Sequence, residues 1–229
     1  EFTVLNLMTV FILNKTPTVQ EWSTWLFPCI ALLMVMGVRP QNFFKLVIAI
    51  GVSELAGIIG SVFTASAIPT WYAGLVKPVL NPPAWVFGPV WITFYALMGV
   101  AAFLVWKQLG GSQPADEIAA SPSAPRNNRK IKIALGVFGV QLFLNVVWST
   151  IFFGLHGSTW LTINNIGWAF IDIIALWLAI LATILAFAKI SKPAAWLLTP
   201  YILWVSFAGY LNYSIWQLNP AVSSGRVAC

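Results

Sequence analysis

The sequence predicts an all-α integral membrane protein, a bundle of five transmembrane helices with a further hydrophobic segment on its N-terminal side. Three observations carry that prediction. Of 229 residues, 59% are hydrophobic and only 8% are charged, against about 25% charged in an ordinary soluble domain. Five apolar stretches each reach the roughly 20 residues that a helix needs to cross a bilayer. The basic residues, which give a net charge of +6, fall between those stretches. In a five-span topology Arg39, Lys45, Lys107, Arg126, Arg129, Lys130, Lys132, Lys189 and Lys192 share one side, with Lys77 and Arg226 opposite. That asymmetry marks cytoplasmic loops, so the charge is topological and no nucleic-acid partner is expected. The bilayer itself is the first partner, in a bacterial or archaeal cell membrane or an organelle.

Residues 1–43 form an N-terminal extension. Within it, 22–38 is interrupted by Pro28 and flanked by Glu21 and Arg39. It is short for a span and is read as an accessory segment, with a sixth span, a signal-like segment or an interfacial helix as its alternatives. The membrane domain is 44–219. Its first span, 44–68, is closed by Pro69 and carries Ala56, Gly57, Gly60 and Ser61, small residues that admit another helix inside the bundle or in a homodimer. The second span is 84–106. Residues 110–128, rich in Ser, Pro, Ala and Gly, read as a solvated flexible connection. Spans three, four and five are 133–153, 160–188 and 194–218, followed by a tail, 220–229. The two cysteines, Cys29 and Cys229, are too few and too scattered for a disulfide framework or a metal site.

The most distinctive stretch is the loop and helix start at 71–91, WYAGLVKPVLNPPAWVFGPVW. Asn81 is suited to cap the following helix and Pro82 and Pro83 to fix the entry into its first turn. Pro89 removes an amide donor inside the helix. Taken alone, such a stretch is a boundary anchor, since Trp and Tyr gather at membrane interfaces. As a run, it resembles the first loop and second helix of the TspO/translocator-protein family. Leu144-Asn145-Val146-Val147-Trp148, then Gly167-Trp168-Ala169-Phe170-Ile171-Asp172, then Pro200-Tyr201-Ile202-Leu203-Trp204 through Asn212, Tyr213 and Trp216 are similar to that family's third, fourth and fifth helices. The resemblance runs over residues 45–219.

Spacing alone puts Trp204, Ala208, Asn212 and Trp216 on one slowly rotating stripe of the fifth helix. Trp91 and Tyr95, Asn145 and Trp148, and Trp168 and Asp172 pair on the second, third and fourth helices, each pair able to face one interior. Aromatic core packing explains such a set; so does a deep apolar cavity with a few hydrogen-bonding groups. The resemblance implies the cavity, with Trp91, Tyr95, Asn145, Trp148, Trp168, Asp172, Trp204, Ala208 and Asn212 as ligand-binding residues. It implies a receptor or sensor for porphyrins or related hydrophobic small molecules, porphyrin being ligand or substrate with no cofactor required. It also permits light- and oxygen-dependent porphyrin degradation, in which Trp91 and Trp204 are the catalytic pair. Transport or a scaffold role ranks lower.

Glu54 and Asp172 are carboxyls within apolar spans, read as internally hydrogen-bonded groups or as proton-handling or ligand-orienting ones. His156, the single histidine, is read as a loop imidazole, with contact to a metal-bearing macrocycle as the alternative. The family's C-terminal sterol pattern is incomplete: Leu211 and Tyr213 are present, but Gln217 stands where a basic residue is expected.

Overall fold

The computed structural model describes residues 40–109, 124–156 and 165–220. The chain divides into two compact units, Glu1–Phe44 and Lys45–Cys229. Among the described residues there are six α-helices, α1 (Pro40–Ala67), α2 (Ala84–Trp106), α3 (Ala124–Ser149), α4 (Asn165–Ala188), α5 (Lys192–Leu197) and α6 (Thr199–Leu218). They make five stretches long and apolar enough to cross a membrane, with α5 and α6 sharing the last. The 22–38 segment, the tail beyond 220 and the connection at 110–123 lie outside the described residues.

Prolines set several boundaries. Pro40 opens α1, which therefore starts before residue 44, and Pro83 precedes α2. The helix that carries the third span begins at Ala124, ahead of the apolar stretch expected from 133, so the last part of the expected flexible connection is helical. Pro125 falls in its first turn, where a missing amide costs nothing, and the basic residues after it are good helix formers. The expected fifth span is two helices meeting at Leu198. Pro200 cannot donate to the carbonyl four residues back, and the ladder breaks there. The fourth span starts at Asn165, with 160–164 outside the described residues.

Asn81 does not cap α2. No side-chain cap bond is present, and Asn81 instead accepts from the Tyr72 hydroxyl at 2.9 Å while its amide donates to the Pro82 carbonyl at 3.0 Å. Pro82 and Pro83 have no amide hydrogens for a cap at Asn81 to satisfy, so the side chain is spent on the loop.

Helix α1 contributes least to the interior: 17% of its apolar window is buried, against 33–39% for the other spans. Its small residues make the contacts it has. A Cβ at Gly57 would fall on the Tyr95 ring, and one at Gly60 would press on Ser149, which places both glycines against α2 and α3 within the bundle. The opposite face, with Val47, Val52, Leu55, Ile58 and Val62, is exposed as lipid-facing residues are. Hydroxyls inside the spans fold back onto carbonyls one turn earlier, as Ser53 does on Ala49 at 2.9 Å and Thr183 on Ala179 at 2.7 Å, which satisfies them without water.

The interior has two apolar clusters. The larger, around Met98, Val105, Phe138, Leu176, Phe187, Leu198 and Tyr201, joins α2 to α6. The smaller, around Ala67, Tyr72, Leu75, Phe152, Phe153, Ile166 and Ile215, lies under the 71–83 loop. Above it, α3 ends in a π-helical turn, Thr150–Gly154. The Asn165 amide donates to the Phe152 carbonyl at 2.8 Å there, tying the start of α4 to the end of α3.

Candidate functional site

Two polar crosslinks organise the middle of the bundle. In the first, the Tyr95 hydroxyl of α2 donates to Asn145 Oδ1 of α3, and Asn145 Nδ2 donates to the Tyr201 hydroxyl of α6 at 2.9 Å. Asn145 is 3% exposed and Tyr201 is fully buried. In the second, Trp148 Nε1 donates to Asn212 Oδ1 at 3.0 Å, and Asn212 Nδ2 donates to the Ile166 carbonyl at 2.8 Å. An unpaired amide or phenol in such surroundings is expensive, and each of these finds its partner on another helix.

A continuous ring system surrounds the first crosslink. Trp91 stacks on Tyr95 with centroids 5.6 Å apart and meets Tyr201 edge-on at 6.3 Å. Phe94 lies 5.8 Å from Tyr201 and 6.0 Å from Trp204. Phe87 and Phe207 close on Trp204 at 6.1 and 5.7 Å. Within this apolar wall the Trp204 indole N–H is buried and has no hydrogen-bond partner. Two further buried atoms, Gln141 Oε1 and Asp172 Oδ2, are likewise unpartnered. Buried polar atoms are nearly always satisfied, and a few exceptions are ordinary in a native protein.

The structure therefore brings Trp91, Tyr95, Asn145 and Trp204 into one assembly and Trp148 and Asn212 into the adjacent crosslink. Ala208 packs on the larger apolar cluster. Along α6 the stripe turns as it rises: Trp204 faces rings of α2, Asn212 bonds α3 and α4, and Trp216 meets Phe170 of α4 at 6.0 Å. Trp168 is not brought to these rings. It is 45% exposed and has no ring or hydrogen-bond partner among the described residues, whereas Asp172 is buried. A four-residue step leaves about 40° between two side chains, enough here to divide them between the outside and the interior. Asp172 and Glu54 make no hydrogen bond or ion pair among the described residues, so the expected internal hydrogen bonds are absent there.

The 71–83 loop is clipped over the end of the bundle. Asn219 Oδ1 accepts from the Val76 amide and its Nδ2 donates to the Val76 carbonyl, both at 2.9 Å, while also donating to Ile215 at 2.7 Å. Lys77 Nζ donates to Leu75 at 3.0 Å and lies 4.7 Å over the Tyr72 ring. Burial pulls the Lys77 ammonium below its ordinary range and pushes the Tyr72 phenol above its own, the Asn81 bond opposing the latter. His156 stacks on Trp71 with centroids 5.0 Å apart, and its Nδ1 is held by the Phe153 carbonyl. In the sterol pattern, Leu211 is buried but Tyr213 is 47% exposed.

Sequence reasoning passed over Phe87, Phe94, Tyr201, Gln141, Asn165 and Asn219. Tyr201 stands three residues before Trp204 and one after the proline that opens α6, a helical spacing that would have joined it to the stripe. Asn165 and Asn219 are amides at helix ends, where a polar side chain most often serves backbone groups.

A profile of the TspO/MBR family matches residues 49–217. The chain is 39% identical over 180 residues to the tryptophan-rich protein TspO of Chlorobaculum tepidum, covering 79% of this chain and 99% of that protein. It is 38% identical over 173 residues to the human translocator protein, covering 76% and 89%. Against the tryptophan-rich protein TspO of Archaeoglobus fulgidus it is 37% identical over 179 residues, covering 78% and 99%.

Proposed function

The chain belongs to the TspO/MBR family, and on that premise we propose that it is a membrane receptor or sensor that binds a porphyrin or related flat hydrophobic ligand within the helix bundle. The observation that carries this reading is the Trp204 indole N–H, buried and unpartnered among the Phe87, Phe94 and Phe207 rings. Aromatic faces suit a macrocycle, and a single orphan donor gives it an orientation. Asn145 and Asn212 already spend their amides between helices, so their part is to hold the wall in place.

Titration of the purified protein with protoporphyrin, followed by tryptophan quenching, tests the proposal. Saturable quenching in the parent, weakened in Trp204→Phe and Trp91→Phe, is expected; quenching that rises without saturation refutes it.

A second reading, photo-oxidative degradation of the bound porphyrin, is favoured by one observation. Trp91 and Trp204 belong to the same ring network, joined through Tyr201 and Phe94. Its test is product formation under light and oxygen, absent in darkness and lost in both variants. Identical products at identical rates from free porphyrin dismiss it.

A further inference from the structure

At the end of the bundle opposite the 71–83 loop, positive charge has no counterpart within the described residues. Lys107 follows α2, Arg129, Lys130 and Lys132 lie near the start of α3, and Lys189 and Lys192 flank the turn between α4 and α5; all six are exposed. The acids among the described residues, Glu54 and Asp172, lie inside membrane-spanning helices. Among the described residues no ion pair forms there.

One corner is more than a charged rim. The Gln108 side-chain amide donates to the Ile190 carbonyl at 3.3 Å, so the end of α2 is tied to the α4–α5 turn. That bond brings the segments carrying Lys107, Lys189 and Lys192 to one corner of the bundle end, Lys107 and Lys189 being the immediate neighbours of its two residues and Lys192 lying two residues past Ile190. Lys107 Nζ lies 5.7 Å over the Phe103 ring of α2. Trp196, one turn along α5 from Lys192, is 73% exposed, and Leu185 of α4 is 56% exposed. The same corner therefore carries exposed lysines together with an exposed indole and an exposed apolar side chain, Lys189 and Leu185 one turn apart on α4 and Lys192 and Trp196 one turn apart on α5. A soluble anion uses only the first of these features; a phospholipid uses all three, its phosphate at the lysines and its chains along the apolar side chain.

We propose that this corner holds the headgroup of an anionic phospholipid, with Lys107, Lys189 and Lys192 facing its phosphate and Trp196 packing beside it at headgroup depth.

The test is retention of phosphatidylglycerol by the purified full chain from mixed micelles with phosphatidylcholine, counted by native mass spectrometry. A lysine near an anionic leaflet contributes a factor of about five. The parent should retain phosphatidylglycerol in excess, and Lys107→Gln/Lys189→Gln/Lys192→Gln should lower retention at least tenfold. Arg129→Gln/Lys130→Gln/Lys132→Gln removes equal charge from the same end and should leave retention within about twofold. Arginine at the three proposed positions preserves charge and should preserve retention, which separates loss of the site from loss of folding. Equal losses in the two glutamine triples would reduce the effect to diffuse surface potential and overturn the proposal, as would no excess retention in the parent. Displacement by glycerol phosphate at a concentration matching the lipid would show a free-anion site and overturn the lipid assignment.

Discussion

Replacing Asn145 by Leu tests whether the polar crosslink between α2, α3 and α6 holds the aromatic assembly together. Leucine nearly keeps the volume and removes both bonds, one accepted from Tyr95 and one donated to Tyr201 at 2.9 Å. A hydrogen bond between membrane helices averages about 0.6 kcal/mol and reaches about 1.7. Deletion at this site does more than remove two such bonds, because Tyr95 is 5% exposed and Tyr201 fully buried, and neither phenol can turn to water. A stranded buried hydroxyl costs about 1–3 kcal/mol, so Asn145→Leu should lower unfolding stability by about 2–4 kcal/mol. Tyr95→Phe gives up one bond and should cost about 1 kcal/mol. The double variant should cost less than the two singles combined, since the phenol stranded by one change is deleted by the other. Unfolding in mixed micelles on addition of dodecyl sulfate, followed by tryptophan fluorescence, measures all three. A loss below about 0.5 kcal/mol in Asn145→Leu, with additive singles, would refute the reasoning.

Other expectations follow from the same contacts. Trp204→Phe keeps a ring but deletes the unpartnered N–H, so porphyrin affinity should fall about tenfold, the equivalent of one hydrogen bond, with stability unchanged or slightly raised. Gly57→Ala drives a methyl group onto the Tyr95 ring and should destabilise the bundle, whereas Gly51→Ala, which meets nothing within 4 Å, should not; thermal melting of the pair distinguishes them. Asn219→Ala removes three hydrogen bonds at 2.7–2.9 Å and should speed amide exchange through residues 72–81 while the spans remain protected. Burial raises the Tyr72 phenol above its ordinary 10.0, so the unfolded chain ionises first and stability should fall as pH climbs past about 10. Tyr72→Phe should flatten that decline.

The number of spans and the limits of α2 were legible because they depend on properties that survive without neighbours: apolar length, proline positions and loop charge. Limits elsewhere moved where a proline acted in an unexpected sense. Pro125 extends α3 into a stretch whose composition reads as linker, and Pro200 splits a span whose apolar content is continuous. The site was legible as a set of faces, not as a set of partners. Trp91, Tyr95, Asn145 and Trp204 were placed together because helical spacing and the family motifs agreed. Trp168 shows the limit of spacing, since 40° of helix rotation matters only once the neighbouring helix has a position. Tyr201 was open to the same spacing argument through Trp204, but its bond to Asn145, 56 positions away, is encoded in no local pattern.

The division between satisfied and unsatisfied polar groups gives this aromatic bundle its chemical direction. Thirteen tryptophans would make a generic hydrophobic interior if all their N–H groups met lipid interface or protein acceptors. Trp148 and Trp177 do meet acceptors, at Asn212 and Ser206. Trp204 does not: Ser206, two residues on, lies on another face of α6, its hydroxyl bonded to Trp177 and to the carbonyl of Ile202. The bundle thus places its acceptors elsewhere and leaves the Trp204 donor unpaired, an arrangement that costs stability and that the proposed ligand would recover by bringing an acceptor. A flat hydrophobic molecule without one would gain ring contacts alone. Discrimination should therefore fall on the acceptor: among ligands of equal apolar area, those lacking it should bind the parent and Trp204→Phe equally, and those carrying it should separate the two.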